Sequence, residues 1–172
     1  MAGREIATRA GARRIVSALE KAGVALVPSV PDTWIGWLME IMRESQQLRV
    51  VDVAREEEAV AVACGAELVG TRAAVVIQNA GLLNCGAVIG SLVHLYRLPC
   101  FMLVSYRGEA RDPIYYHAPK GAVTEPTLAA WRIPYARAAG PDRVVEQIGQ
   151  GLEFVRETRG PFVLLFSAED LA

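Results

Sequence analysis

With 172 residues, 52% of them hydrophobic and 22% charged, the chain is long enough to bury a sizeable core and far from the composition of a disordered segment. A net charge of −1 with scattered Lys and Arg argues against a nucleic-acid surface, and apolar runs such as 162–166 are too short to span a membrane. The opening Met-Ala-Gly-Arg-Glu lacks the apolar core of a signal peptide, and Cys64, Cys85 and Cys100 match no metal spacing, so the expectation is a cytoplasmic protein with small buried thiols.

Apolar runs of strand character alternate with helical patterns. Ile6, Ala10, Ile15 and Leu19 predict a helix over 5–21, ended by Gly23. A short buried strand at 24–27 leads into Ser29-Val30-Pro31-Asp32, after which 33–45 reads as a helix rich in Trp, Leu, Ile and Met. A strand at 49–53 precedes a helix over 56–69 that opens on three acids and ends at Gly70. A strand at 73–77, a Gly-containing loop at 78–84 and a helix at 85–96 follow. Next come a strand at 100–104, a polar loop at 106–123, a short helix at 124–131 and an edge strand at 135–138. A helix over 141–158 and a strand over 161–166 close the pattern. Short strands separated by helices imply an α/β fold, a three-layer α/β/α domain over 1–172 with a mainly parallel sheet of about six strands. In such sheets ligands bind at the carboxyl ends of the strands. Here those ends carry Val30-Pro31-Asp32, Ala54-Arg55-Glu56, Gln78-Asn79-Ala80-Gly81 and Ser105-Tyr106-Arg107.

Glu56, Glu57 and Glu58 open a helix that is otherwise small and apolar. Acids suit a first helical turn, where they face the macrodipole and free N–H groups. That reading accounts for one or two of the three. A Glu leaving a strand at the start of a buried helix is partly desolvated, and such a carboxylate tends towards a raised pKa and proton exchange near neutrality. Ala59, Ala61, Ala63 and Gly65 keep the helix slim enough to pack closely against another chain or a ligand, so self-association is expected.

The run Arg-Glu-Glu-Glu-Ala-Val-Ala-Val-Ala-Cys-Gly-Ala, followed by Val-Val-Ile-Gln-Asn-Ala-Gly-Leu-Leu-Asn, resembles the pyrimidine-binding domain of thiamine diphosphate enzymes. Within them it is most similar to the alpha subunits of sulfopyruvate decarboxylase and the related phosphonopyruvate decarboxylases. Glu56, Ala59 and Gly65 fit the family's spacing, Gly81 and Asn84 fit its Gly-x-x-Asn loop, Val30-Pro31-Asp32-Thr33 resembles its Val-Pro-Asp-Ser loop, and His117-x-x-Lys-Gly-x-x-Thr resembles the stretch before its short helix. Arg55 stands where many members have His, and Leu83 where Gly is frequent.

The resemblance implies that Glu56 hydrogen-bonds the aminopyrimidine of thiamine diphosphate and promotes proton loss from the cofactor, with Gly81 and Asn84 lining it. It implies decarboxylation of a small anionic 2-oxoacid, sulfopyruvate to sulfoacetaldehyde and CO₂ first, with phosphonopyruvate or another anionic 2-oxoacid as the alternative. A non-catalytic α/β binding module is the reading from a different class. Asp32 either faces substrate or caps a helix, Asn84 either meets cofactor or caps the next helix, and His117 either handles substrate or sits at the surface. Arg55, Arg107 and Lys120 lie on loops at the same edge and suit a sulfonate or phosphonate. No Gly-Asp-Gly occurs in these residues. The resemblance therefore implies that Mg²⁺ and the diphosphate are bound by a partner, a beta subunit, and that the active site forms between chains.

Overall fold

The computed structural model describes residues 8–32, 35–109, 112 and 114–172. Six strands form one sheet: β1 (Leu26–Ser29), β2 (Arg49–Asp52), β3 (Ala74–Gln78), β4 (Cys100–Ser105), β5 (Tyr135–Arg137) and β6 (Pro161–Phe166). Their order is β2-β1-β3-β4-β6-β5, and every pair is parallel. β4 is buried along its whole length, as a central parallel strand covered on both faces should be. Pro28 offers β3 no N–H. The β1–β3 link is accordingly thin, and Ser29 Oγ strengthens it by donating to Val76 O at 2.6 Å.

Two apolar layers sandwich the sheet. One joins α1 (Arg9–Lys21), α2 (Gly36–Glu44) and α7 (Val144–Thr158) through Ile15, Leu19, Leu38, Met42, Ile148 and Leu152. Thr8 caps α1, its Oγ1 accepting from Gly11 N at 2.9 Å. The other layer holds α3 (Glu56–Leu68) through Ala59, Val60 and Ala63, with Leu82, Ile89 and Leu128 from later helices. Alanines at the α3 contact let that helix lie close to the sheet. Gly23 and Gly70, at φ 76° and 81°, end α1 and α3 as expected.

Two segments differ from the sequence expectation. Residues 78–84 are not a loop: the chain turns helical at once after β3, as α4 (Asn79–Leu82), a 3₁₀ turn (Leu83–Cys85), α5 (Gly86–Val88) and a π-helical stretch (Ile89–His94). Leu82, Cys85, Ile89 and Val93 all face the core, so the apolar period starts at Leu82, ahead of the helix start expected at 85. The short helix expected at 124–131 begins earlier, as α6 (Ala118–Ala130), with Pro119 in its first turn, where its missing N–H is harmless. Poor helix formers such as Gly121, Thr124 and Pro126 disguise it, and tertiary contacts override their propensity. The expected start of the first helix at 5–7, and Thr33, which takes the place of the family's Ser, lie outside the described residues.

Among the described residues no helix is long and apolar enough to cross a membrane. The cysteines, distant in sequence, converge: Cys64 and Cys100 share a hydrogen bond, which with full burial pushes the Cys100 thiol well up.

Candidate active site at the carboxyl ends of the strands

The three acids that open α3 have three different surroundings. Glu58 Oε2 accepts from the backbone N–H groups of Ala54 at 3.0 Å and Arg55 at 3.2 Å, the reciprocal half of a capping box. Glu57 Oε1 pairs with Arg55 Nη2 at 2.7 Å, while its Oε2 is buried without a hydrogen-bond partner among the described residues. Glu56 is half-buried and lies across Gly81, where a Cβ would overlap its carboxyl group. No described group donates a hydrogen bond to the Glu56 carboxylate. Cys85 sits one turn further on, its Sγ donating to Gly81 O at 3.4 Å. Burial first, and then the carboxylates of Glu56 and Glu57, push this thiol up to about 12, so it stays protonated beside them.

A second cluster surrounds the end of β4. Ser105 Oγ donates to Asp32 Oδ2 at 3.1 Å, joining the ends of β1 and β4. Asn79, fully buried, brackets the Arg107 backbone: its Oδ1 accepts from Arg107 N at 3.2 Å and its Nδ2 donates to Arg107 O at 2.9 Å. The same Nδ2 donates to Thr124 Oγ1 at 2.9 Å. Arg107 reaches Asp112 through Nε at 2.9 Å, and His117 Nδ1 lies 3.0 Å from the same carboxylate. Gly108 and Gly121 make this compactness possible, since a Cβ on either would strike backbone of the other.

Several sequence expectations change here. Asp32 does not hold the cap position of α2, which starts at Gly36 with Ile35 there. Asn84 is exposed in its 3₁₀ turn and makes no cap bond, since Cys85 occupies the cap position of α5. Arg107, expected on an anion-binding loop, is buried with its guanidinium on Asp112. His117 is buried as well, not a surface residue of a polar loop. Arg55 remains in solvent, its side chain 69% exposed. Lys120 is half-buried in α6. Thus Glu56 and Gly81 meet directly; Asp32 and His117 stand beside β4, and Asn79 ties that group to the turn bearing Gly81. Asn79 and Asp112 carry no role in the sequence expectation. An Asn ending the apolar run at 74–77 was a usable signal; Asp112, in a polar loop, offered none.

Residues 9–124 match the family model described as thiamine pyrophosphate enzyme, N-terminal TPP binding domain. The sulfopyruvate decarboxylase subunit alpha of Methanococcus maripaludis is 31% identical over 154 residues, covering 90% of this chain and 92% of that one. A phosphonopyruvate decarboxylase of Streptomyces viridochromogenes is 35% identical over 98 residues, 57% of this chain and 25% of that one. The crystal structure of benzoylformate decarboxylase from Polynucleobacter necessarius shares the fold, with a TM-score of 0.72 at 17% identity over 94% of this chain and 30% of that one.

Proposed function

Because this chain belongs to the thiamine pyrophosphate enzymes, through their N-terminal TPP binding domain, we propose that it is the alpha subunit of a decarboxylase of anionic 2-oxoacids. Sulfopyruvate is the leading substrate, giving sulfoacetaldehyde and CO₂, and the pyrimidine-binding unit comprises residues 1–172. The observation that carries this reading is Glu56: the one acid of its triplet whose carboxylate has no hydrogen-bond or ion-pair partner among the described residues, laid over a glycine. A carboxylate so placed suits the edge of an aminopyrimidine, because an acid without a protein donor is available to share a proton with a ligand. Bound thiamine diphosphate supplies a carbon nucleophile and an acceptor for the electrons that CO₂ leaves behind.

The protein's share of the work follows from its own groups. Glu56 would hold the aminopyrimidine edge by a hydrogen bond from its carboxyl group and share a proton there. Gly81 keeps side-chain bulk away from that contact, and the exposed Asn84 amide is the next polar group along the turn. Asp32 and His117 orient substrate and pass protons, while Arg55 and Lys120 attract its anionic end. Mg²⁺ and the diphosphate are held by a beta subunit, a partner consistent with the alpha designation of the relatives. That partner covers the second helical layer, where Leu68, Val69, Leu95 and Tyr96 are 65%, 80%, 67% and 63% exposed.

Mixing the chain with its partner, thiamine diphosphate and Mg²⁺, and following CO₂ release from sulfopyruvate, phosphonopyruvate and pyruvate tests the reading. Sulfopyruvate should react fastest, and Glu56→Gln should lower kcat by at least about 100-fold, the scale of general acid–base catalysis. No turnover of any 2-oxoacid despite bound cofactor would sink it. The similarity to phosphonopyruvate decarboxylase keeps phosphonopyruvate as the second substrate. A non-catalytic binding module would leave Glu56→Gln without effect on any rate.

A further inference from the structure

Asp112 is the hub of the segment between β4 and α6. Its carboxylate accepts from Arg107 Nε at 2.9 Å and Nη2 at 3.2 Å, from the backbone N–H groups of Gly108 at 2.8 Å and Ile114 at 3.0 Å, and from His117 Nδ1 at 3.0 Å. The side chains involved are largely buried: Arg107 is 3% exposed, Asp112 2% and His117 7%. Burial alone would raise the Asp112 pKa, but the donors from Arg107, Gly108, Ile114 and His117 outweigh it and hold the carboxyl well below its usual range. An ionised carboxylate has no proton to give. The hydrogen in the His117 contact therefore sits on Nδ1, and Nε2 is the ring nitrogen left to gain and lose a proton.

We propose that Asp112 is a positioning residue for His117, fixing the ring in its Nδ1–H form so that Nε2 faces substrate as the nitrogen that takes up a proton and returns it. Arg107 offsets the buried charge of Asp112, and Asn79 clamps the Arg107 backbone from both sides, which links this hub to the turn carrying Gly81. The Tyr116 ring, edge-on with its centroid 4.5 Å from that of the imidazole, limits ring rotation. The chemistry at Nε2 rests on the decarboxylase reading above; the tautomer does not.

The chain holds two histidines, so nitrogen NMR of the labelled chain resolves both rings. His94 is the internal contrast, because its Nε2 lies 3.0 Å from the Trp131 carbonyl, which can only accept. At a pH of about 8.5, where an ordinary imidazole is neutral, His117 should carry its hydrogen on Nδ1 and His94 on Nε2. Asp112→Asn should mix the His117 tautomers and lower kcat of the assembled enzyme at least about tenfold, with a smaller change in KM. In a His117→Gln background the same substitution should have no further effect on kcat. A His117 ring found with its hydrogen on Nε2 in the unsubstituted protein would overturn the proposal. So would an equal loss of kcat from Asp112→Asn in both backgrounds, since that is the behaviour of a purely structural ion pair. Should Asp112→Asn fail to fold, the spectrum of the unsubstituted chain decides alone. If the assembled enzyme turns over no 2-oxoacid while His117 shows the Nδ1–H form, the decarboxylase reading falls and the positioning by Asp112 stands.

Discussion

Glu56 and Gly81 are twenty-five positions apart and meet because β2 and β3 end at the same edge of one sheet. Gly81 is needed there for its missing side chain. In Gly81→Ala the new methyl falls on the Glu56 carboxyl, so the acid must turn away from its position over residue 81. Ala is a better helix former than Gly by about 1 kcal/mol, so the helix itself should not suffer. The expected outcome is a fall in kcat/KM of roughly tenfold or more with an unchanged circular dichroism spectrum. Full activity in that variant would show that the Glu56 position is not critical. In the sequence Glu56 and Gly81 stand out through the family resemblance of their short motifs, and only the fold brings the two into contact. The burial of Arg107 and His117 was not legible there, because Asp112, the residue that draws both inward, carries no local signal.

At the scale of the element, α3 starts at the first acid, as its sequence predicts, and ends at Leu68, one residue short of the expected 69. Its entry is secured by Glu58, whose carboxylate takes two backbone N–H groups that the helix cannot otherwise satisfy. Glu58→Ala should lower stability by about 1 kcal/mol, seen as a lower urea midpoint at unchanged slope. Glu57→Ala removes only an ion pair whose Arg55 half is largely in solvent, and such pairs are worth roughly 0–1 kcal/mol. Equal losses from the two variants would contradict this division of labour. The misread elements have a common cause. The helical run after β3 and the first turns of α6 contain Gly, Thr and Pro, which read locally as loop. Packing of Leu82 and Ile89, and the Thr124 hydroxyl bonds to the Lys120 carbonyl and Asn79, supply what local propensity lacks.

For the molecule as a whole, the buried hub also predicts how stability follows pH. The folded pKa of Asp112 is depressed, so its contribution is present above the unfolded carboxylate value of about 3.9 and is lost as pH falls through the lower folded value. Breaking a buried ion pair costs about 3–5 kcal/mol. The melting temperature of Asp112→Asn should therefore lie below that of the unsubstituted chain at neutral pH, with the gap closing below a pH of about 4. A gap that stays constant into acid would remove the carboxylate from that role. By itself the sequence determined the alternation of strands and helices, the parallel sheet and the acidic start of α3, since each rests on periodicity or on neighbours within a turn. Only the tertiary structure decided the strand order, the seat of Glu56 on Gly81 and the burial of His117. Those depend on loops closing across distant segments, and on a carboxylate that can leave water only when an arginine, a histidine and two backbone N–H groups reach it together.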